Sequence, residues 1–492
     1  MLLLYIYLLL LNHNYFINSI ILSSKLSKKT ISSSNRIIVE DIAFSLKDRF
    51  WDIDIATKRN IDKILKCFKD EKIDESAFHG VNGYGFGDIG REKTDNIIAR
   101  LMGAESAHVR LQFFSGTHAI STALFASLKP GDRMLCVSGT PYDTLEEVIG
   151  IRGDGIGSLT EWGIKYDQID MKYNNIEINN NNNSDNDIYN GNSCSSSSSG
   201  KEAIFDYDLI GEYIDNCNSS GSSNTDNDKD SNSNGNSNSN DIKLIHVQRS
   251  CGYSWRPSIL IKEIEKLVHF VKVIKKRGDI TIFVDNCYGE LVEDQEPCHV
   301  GVDLVAGSLI KNLGGTLAPS GGYVAGRNDL VQRVAKHLAA PGVEGGATFN
   351  QYKDILQGLF LSPVIIGESL KGAELVSHLF TQLGYECNPA PGQQRTDIIQ
   401  AVRLEDRDRL IQFCEITQSL SPVGSHVRPI PGSTAGYEDD VIFADGTFVE
   451  GSTLELSADG PLREPYVAYI QGCTHWSHWA LVLEKYLNSI QS

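Results

Sequence analysis

The stretch ITIFVDNCYGELVEDQEPCHVGVDLVAGSLIKNLGG, residues 280–315, holds two short apolar runs with a charged group at the end of each. ITIFVDN (280–286) is almost continuously apolar until Asp285, and LVAGSLI (304–310) runs into Lys311 and then into Gly314 and Gly315. Apolar runs of this length between polar segments predict buried strands. Working outward, strand and helix patterns alternate. TDNIIARLMG (94–103), THAISTALFASL (117–128), TLEEVIG (144–150) and ILIKEIEKLVHFVKVIKKRG (259–278) read as helices. AHVRLQF (107–113), RMLCVSG (133–139) and KLIHVQ (243–248) read as strands. That alternation predicts an α/β fold with a mostly parallel sheet covered on both faces. Functional residues in such sheets lie just beyond the carboxyl ends of the strands.

The flanks divide the chain further. Residues 1–36 open with MLLLYIYLLLL, too short for a helix that needs roughly 20 residues to span a bilayer. A Ser- and Lys-rich stretch follows, with no acid before Glu40. Residues 1–36 thus read as a targeting leader or a disordered tail, which leaves cytoplasm, plastid or mitochondrion open as the compartment. Residues 37–100 form an N-terminal segment and 101–364 the large domain. From 365 onward a long helix leads into mixed strand and helix, a smaller C-terminal α/β domain spanning 365–492. Asn/Ser-rich tracts at 172–200 and 217–241 interrupt the large domain. Such composition buries too little apolar surface to offset the entropy of ordering, so both read as disordered insertions. AIFDYDLIGEYID (203–215), between them, reads as a short amphipathic helix.

Bulk properties exclude some functions. The 492 residues carry 45 Lys plus Arg against 63 Asp plus Glu, a net charge of −18. A nucleic-acid grip needs a basic face, which this balance disfavours. The ten cysteines form no CxxC pair, so they predict scattered thiols in a reducing compartment and no zinc site. His475 and His478 have i, i+3 spacing without an evident third ligand, and they read as packing or capping a helix.

At the strand ends, Asp285 needs a partner because burying an unpaired charge is costly. Lys311 admits two readings: a buried ion pair with Asp285, or a cofactor site shared with it. Pyridoxal phosphate needs a lysine for its Schiff base and an acid to keep its pyridine nitrogen protonated. A phosphate needs a donor-rich helix start, and Ser115, Gly116 and Thr117 open a helix. Read alone, that triplet is an ordinary N-cap. Ser308, three before Lys311, adds a hydroxyl. Tyr142, just after a strand, can stack on a pyridine ring or serve as a core tyrosine.

The joint order of these features resembles the fold-type I pyridoxal-phosphate enzymes, whose large domain is aspartate aminotransferase-like. Within their cysteine/methionine-metabolism branch the chain resembles the methionine gamma-lyase-like, or aluminium-resistance, family. HGVNGYGFGDIGRE, QRSCGYSWRPS, FVDNCYGE, GSLIKNLGGTLAPSGGYVAG and LELSADGPLREPY carry the likeness, from about residue 40 to the C-terminus. The resemblance implies pyridoxal 5'-phosphate as cofactor. It implies Lys311 as the Schiff-base lysine, Asp285 on the pyridinium nitrogen, Tyr142 on the ring, and Ser115, Gly116, Thr117 and Ser308 around the phosphate. It implies that Tyr84 and Arg91 reach a neighbouring subunit's phosphate, in a homodimer or homotetramer with active sites at the subunit interface.

The implied activity is that of a carbon–sulfur lyase on a sulfur-containing amino acid, by β- or γ-elimination. A replacement transferase of the cystathionine synthase type and a non-catalytic cofactor-binding homologue are the alternatives. Relatives bind the substrate carboxylate with an Arg in an R-x-S strand, and here LELS puts Glu455 in that place. Arg463 and Arg249 are the substitute candidates. The Asn that relatives hold over the ring, in an E-x-P-x-N-P run, is also missing, and QRSCGYSWRP stands at that point. Burial and the nearby cationic ring are expected to lower the Lys311 pKa. Two further motifs are decoys. GFGDIG (85–90) matches a dinucleotide fingerprint but follows no apolar strand. SLIK (308–311) matches the S-x-x-K of penicillin-binding hydrolases, but neither SDN nor KTG follows.

Overall fold

A computed structural model describes residues 31–178, 198–219, 241–343 and 352–490. Its centre is a seven-stranded sheet. The strands are β1 (Ser106–Arg110), β2 (Arg133–Cys136), β3 (Lys165–Gln168), β6 (Ile242–Gln248), β7 (Thr281–Asp285), β8 (Leu304–Ser308) and β9 (Gly322–Gly326). They lie side by side in the order β1-β9-β8-β7-β6-β2-β3. The run from β3 to β8 is parallel, whereas β9 is antiparallel to both β8 and β1. The link from β8 to β9 holds only the 3-10 turn Asn312–Gly314, which is too little structure to cross a sheet face. A reversal is what such a link permits.

The central strands are buried on both faces, which explains their near-continuous Val, Ile and Phe. One face packs on Ile97, Ile98, Ile264 and Leu267. The other packs on Ile120, Leu124, Leu145 and Val334. The helix expected over 259–278 runs only from Ile261 to His269 and then widens into a π-turn, Phe270–Ile274. Lys275 N donates to Phe270 O, a bond that closes that wider turn.

Two boundaries differ from the sequence expectation. The tract 172–200 is not wholly an irregular insertion, because β4 (Lys172–Ile178) pairs antiparallel with β5 (Ser198–Ile204) in a separate hairpin. A strand pair satisfies its own backbone groups, which lets a polar sequence hold an extended form. The remainder, 179–197, lies outside the described residues. The helix between the tracts runs from Tyr207 to Ser219, so only 220–240 of the second tract lies outside them. At the other boundary, residues 1–30 of the expected leader lie outside the described residues, while a helix begins at Ile31 and continues to Ser45.

The C-terminal part begins with the long helix Tyr352–Gln382. It carries an antiparallel sheet of β10 (Glu386–Asn388), β11 (Gln400–Arg403), β12 (Val441–Ala444), β13 (Ser457–Pro461) and β14 (Val467–Gln471), ordered β10-β11-β14-β13-β12. Its core holds Phe380, Phe413, Trp479 and Tyr486, together with Val39 and Ile42 of the first helix. The start of the N-terminal segment is therefore part of the C-terminal core. The fully buried carboxylate of Glu374 ties these pieces, accepting hydrogen bonds from Arg49 and Arg395.

Candidate active site

A cavity of about 260 Å³ opens where the carboxyl ends of the large sheet meet the second sheet. Lys311, Asp285, Tyr142, Ser115, Gly116, Thr117 and Ser308 all line it. Residues spread over nearly 200 positions are brought together because β2, β7 and β8 end on the same side.

The helix Gly116–Ser127 aims its N-terminus at this cavity. Ser115 caps it, its side chain accepting from His118 N at 3.1 Å. Gly116 sits against β8 so closely that a Cβ there would lie 2.9 Å from Ser308 Cβ and 3.3 Å from Cys287 Sγ. Thr117 Oγ1 receives the Tyr142 hydroxyl at 3.0 Å and lies 3.3 Å from Thr144 Oγ1. Tyr142 N donates to Gln248 Oε1 at 2.8 Å, which anchors the tyrosine to the end of β6.

Asp285 is the last residue of β7 and 4% exposed. It accepts from Cys287 N at 3.0 Å, and burial pushes its pKa up against the opposing pull of Lys311. Lys311 Nζ lies 3.6 Å from the centre of the Tyr288 ring. Burial lowers the pKa of Lys311, but Tyr288, Cys287 and Asp285 outweigh it, so the net shift is upward. The downward shift expected from the sequence belongs to a lysine beside the cationic ring, whereas the protein's own groups, Tyr288, Cys287 and Asp285, pull the other way. Tyr288 takes a left-handed backbone, φ 71°, and its carbonyl accepts from Asn312 Nδ2 at 2.9 Å. The bond links the turn after β7 to the residue that follows Lys311.

The second sheet supplies the opposite wall. Asp459 on β13 is 2% exposed and lines the cavity, with Ser452 Oγ donating to it at 2.9 Å. Burial raises its pKa to about 6. The rings of Tyr253, Tyr437 and Tyr469 cluster beside it, with Tyr253 centred 5.6 Å from Tyr437 and 5.1 Å from Tyr469.

The other sequence candidates lie elsewhere. Arg463 reaches the rim, 3.0 Å from Asp439 and 3.6 Å from Asp143, a residue of the lining. Arg249 is corrected as a carboxylate candidate: it is fully buried outside the lining and already engaged. Its guanidinium donates to Thr396, Asn286, the Gly289 carbonyl and Glu293. Glu455 also faces away, accepting from Phe448 N. Tyr84 is 73% exposed and stacked on Phe86, and Arg91 is buried in the helix Ile89–Met102; neither lines the cavity of its own chain. GFGDIG runs through turns, with left-handed backbones at Gly85 and Gly87, into the first residues of that helix. His478 Nε2 bonds to Leu420 O, and His475 Nδ1 to Ser477 Oγ. Tyr288, Tyr253, Tyr437 and Asp459 were missed by the sequence argument. Three of them stand inside quoted motifs, but only the meeting of the two sheets sets them around Lys311.

The residues present fit pyridoxal phosphate. Ser308 Oγ is buried and has no hydrogen-bond partner among the described residues, beside a glycine cradle and a helix N-terminus. An orphaned hydroxyl there is suited to an anion. A carboxylate and a lysine within one lining supply the other two contacts that the cofactor requires.

Comparison with known proteins gives concordant matches. The family model described as methionine gamma-lyase matches residues 36–188 and 204–491. The protein YnbB of Bacillus subtilis (strain 168) is 41% identical over 429 residues, 87% of this chain and 89% of its own length. A crystal structure titled as a carbon-sulfur lyase involved in aluminum resistance, from Clostridium novyi NT, is 38% identical, covering 94% of this chain and 96% of that one, with a TM-score of 0.78. The metB structure of Corynebacterium glutamicum shares the fold at 16% identity, covering 82% of this chain and 86% of that one, with a TM-score of 0.51.

Proposed function

Because the chain belongs to the methionine gamma-lyase family and has the fold-type I architecture, we propose that it is a pyridoxal-phosphate-dependent carbon–sulfur lyase acting on a sulfur-containing amino acid. The observation that carries this reading is the gathering of Lys311, Asp285, Tyr142 and the unpartnered Ser308 hydroxyl on one cavity at a helix N-terminus. When bound, the cofactor supplies an electron sink for charge that develops at the substrate's Cα.

The chain's own residues do the rest. Lys311 Nζ holds the cofactor's carbonyl carbon and, when free, takes the proton from the substrate's Cα. Asp285 keeps a proton on the ring nitrogen. Tyr142 covers the ring face, its hydroxyl fixed on Thr117. Ser115, Gly116, Thr117 and Ser308 hold the phosphate. Tyr84, exposed beside Phe86, and Arg91 serve the site of a second copy in a homo-oligomer. With water consumed, the products are a 2-oxo acid, ammonia and a thiol or sulfide.

The test is direct. The purified chain is loaded with pyridoxal phosphate, reduced with borohydride and mapped by mass spectrometry. A pyridoxyl adduct on Lys311, with thiol and 2-oxo acid released from a thioether amino acid, is the expected result. No adduct at Lys311, or full activity in Lys311→Ala, overturns the assignment.

A further inference from the structure

Tyr437 lines the cavity from the segment 432–440, which leads into β12 of the second sheet. The segment is closed at its base by two backbone hydrogen bonds. Gly432 N donates to Val441 O at 3.1 Å, and Val441 N donates to Gly432 O at 3.0 Å. Inside the loop Tyr437 N donates to Thr434 O at 3.0 Å. None of residues 431–440 is buried. A stretch with few internal hydrogen bonds and no buried side chain opens easily. It nevertheless carries one ring of the cavity wall, so its position has to be held from outside.

Arg152 holds it from the large-sheet side. This residue follows the helix Asp143–Ile149, and its side chain is half-buried. Its guanidinium lies 2.7 Å from the Glu146 carboxylate. It also donates to two carbonyls, Asp143 O on its own side and Gly436 O across the seam. Gly436 rests on the same helix: at φ 83°, a Cβ there would lie 2.5 Å from Thr144 Cγ2. Glycine alone accepts that backbone and that contact without strain. Arg463 adds a second tie at the rim, 3.0 Å from Asp439 and 3.6 Å from Asp143. The segment therefore sits on residues 143 and 144, directly after the tyrosine that covers the cofactor in the function proposed above, on which this inference rests.

We propose that the segment 432–440 is the gate of the cavity and that Arg152 is its latch, a positioning residue that touches neither substrate nor cofactor. With the bond from Arg152 to Gly436 made, Tyr437 stays in the wall and water is kept from the reacting carbon. With it broken, the segment swings about Gly432 and Val441 and admits an amino acid. An elimination needs both states, because substrate and products must pass while charge developing at Cα must be shielded from bulk water.

Hydrogen exchange is followed by mass spectrometry on the cofactor-loaded full chain. In Arg152→Ala the peptide over 432–440 is expected to exchange about tenfold faster than in wild type, the effect of losing one charge-assisted hydrogen bond. The core strand Thr281–Asp285 is expected to keep its rate. Gly436→Ala disturbs the same seat from the exposed loop and leaves the pair of Arg152 and Glu146 in place, so it is expected to do the same. Arg152→Lys keeps a donor for the carbonyls and is expected to stay within about threefold of wild type. The second readout is stopped-flow binding of norleucine, which has no sulfur to lose. A gate acts on entry and exit alike, so both rate constants are expected to rise about tenfold in Arg152→Ala while their ratio changes less than about threefold.

Unchanged exchange over 432–440 in Gly436→Ala and Arg152→Ala would overturn the proposal. Exchange that quickens throughout the chain would overturn it too, because Arg152 would then serve the fold alone. Norleucine rate constants equal to those of wild type in both loosened variants would do the same. If Arg152→Ala does not fold, Gly436→Ala decides by the same readouts. Cleavage of a thioether amino acid is assayed separately. If the exchange result holds but norleucine does not bind and no thioether is cleaved, the lyase reading fails and the latch stands. If thioethers are cleaved while exchange over 432–440 is alike in all the proteins, the gate fails and the lyase reading stands.

Discussion

Replacing Ser308 by Ala should move two quantities in opposite directions. The Ser308 hydroxyl is buried, 1% exposed, and has no partner within the described chain. An unsatisfied buried polar group costs about 1–3 kcal/mol. Its removal should therefore leave the cofactor-free protein as stable as before, or stabilise it by up to about 1 kcal/mol after the small void left behind is counted. With cofactor the sign reverses. A hydrogen bond to a charged phosphate contributes about 1.5–3 kcal/mol, so pyridoxal phosphate should bind roughly 10- to 100-fold more weakly. The assays are urea unfolding of the cofactor-free protein and a fluorescence titration with pyridoxal phosphate. An unchanged dissociation constant would refute the phosphate role of Ser308. A loss of more than about 1 kcal/mol in the cofactor-free protein would show that the hydroxyl has a structural partner.

Other outcomes follow from neighbouring groups. Lys311→Ala should abolish turnover and borohydride labelling while leaving the fold intact by circular dichroism. Arg249→Ala should cost about 3–5 kcal/mol in urea unfolding, because it takes the fully buried guanidinium away from the half-buried Glu293 and the buried Glu296; a raised KM in a fully stable variant would contradict its structural role. His246 is fully buried, and desolvation lowers its pKa to about 3. A base with a depressed folded pKa leaves the unfolded state holding more protons, so stability is complete above the unfolded pKa of about 6.5 and falls as pH drops below it. The loss at pH 5 relative to pH 7 should be about 2 kcal/mol, and His246→Gln should flatten that slope, as read from urea midpoints at the two values.

The layering of the fold was legible from the central strands, because apolar runs such as ITIFVDN have no other stable place than between two helical layers. Lys311, Asp285 and Ser308 could be named because strand ends face the site in any sheet of this kind. The short strands β3, KYDQ, and β9, GYVAG, were not read as strands. They lack the long apolar run, and their pairing is set by the neighbours they meet. The hairpin β4–β5 hid inside polar tracts for the same reason. Arg249 misled because an arginine's sequence position does not reveal which acids surround it. Asp459 and the tyrosines escaped notice because their role depends on the second sheet closing over the first.

The antiparallel strand β9 has a consequence for the order in which the protein can be completed. Among the described strands β1 lies at the edge of the sheet and pairs only with β9, Ser106 opposite Gly326 and Arg110 opposite Gly322. On a ribosome adding about 5–20 residues per second, the roughly 200 residues between them take about 10–40 s to appear. During that interval β1 has no strand to join, and Ala107 and Val109 cannot reach their buried places. A nascent chain released before Gly322 would keep that edge unpaired, the kind of surface that recruits other strands. The N-terminal third of the protein thus waits for the translation of its middle.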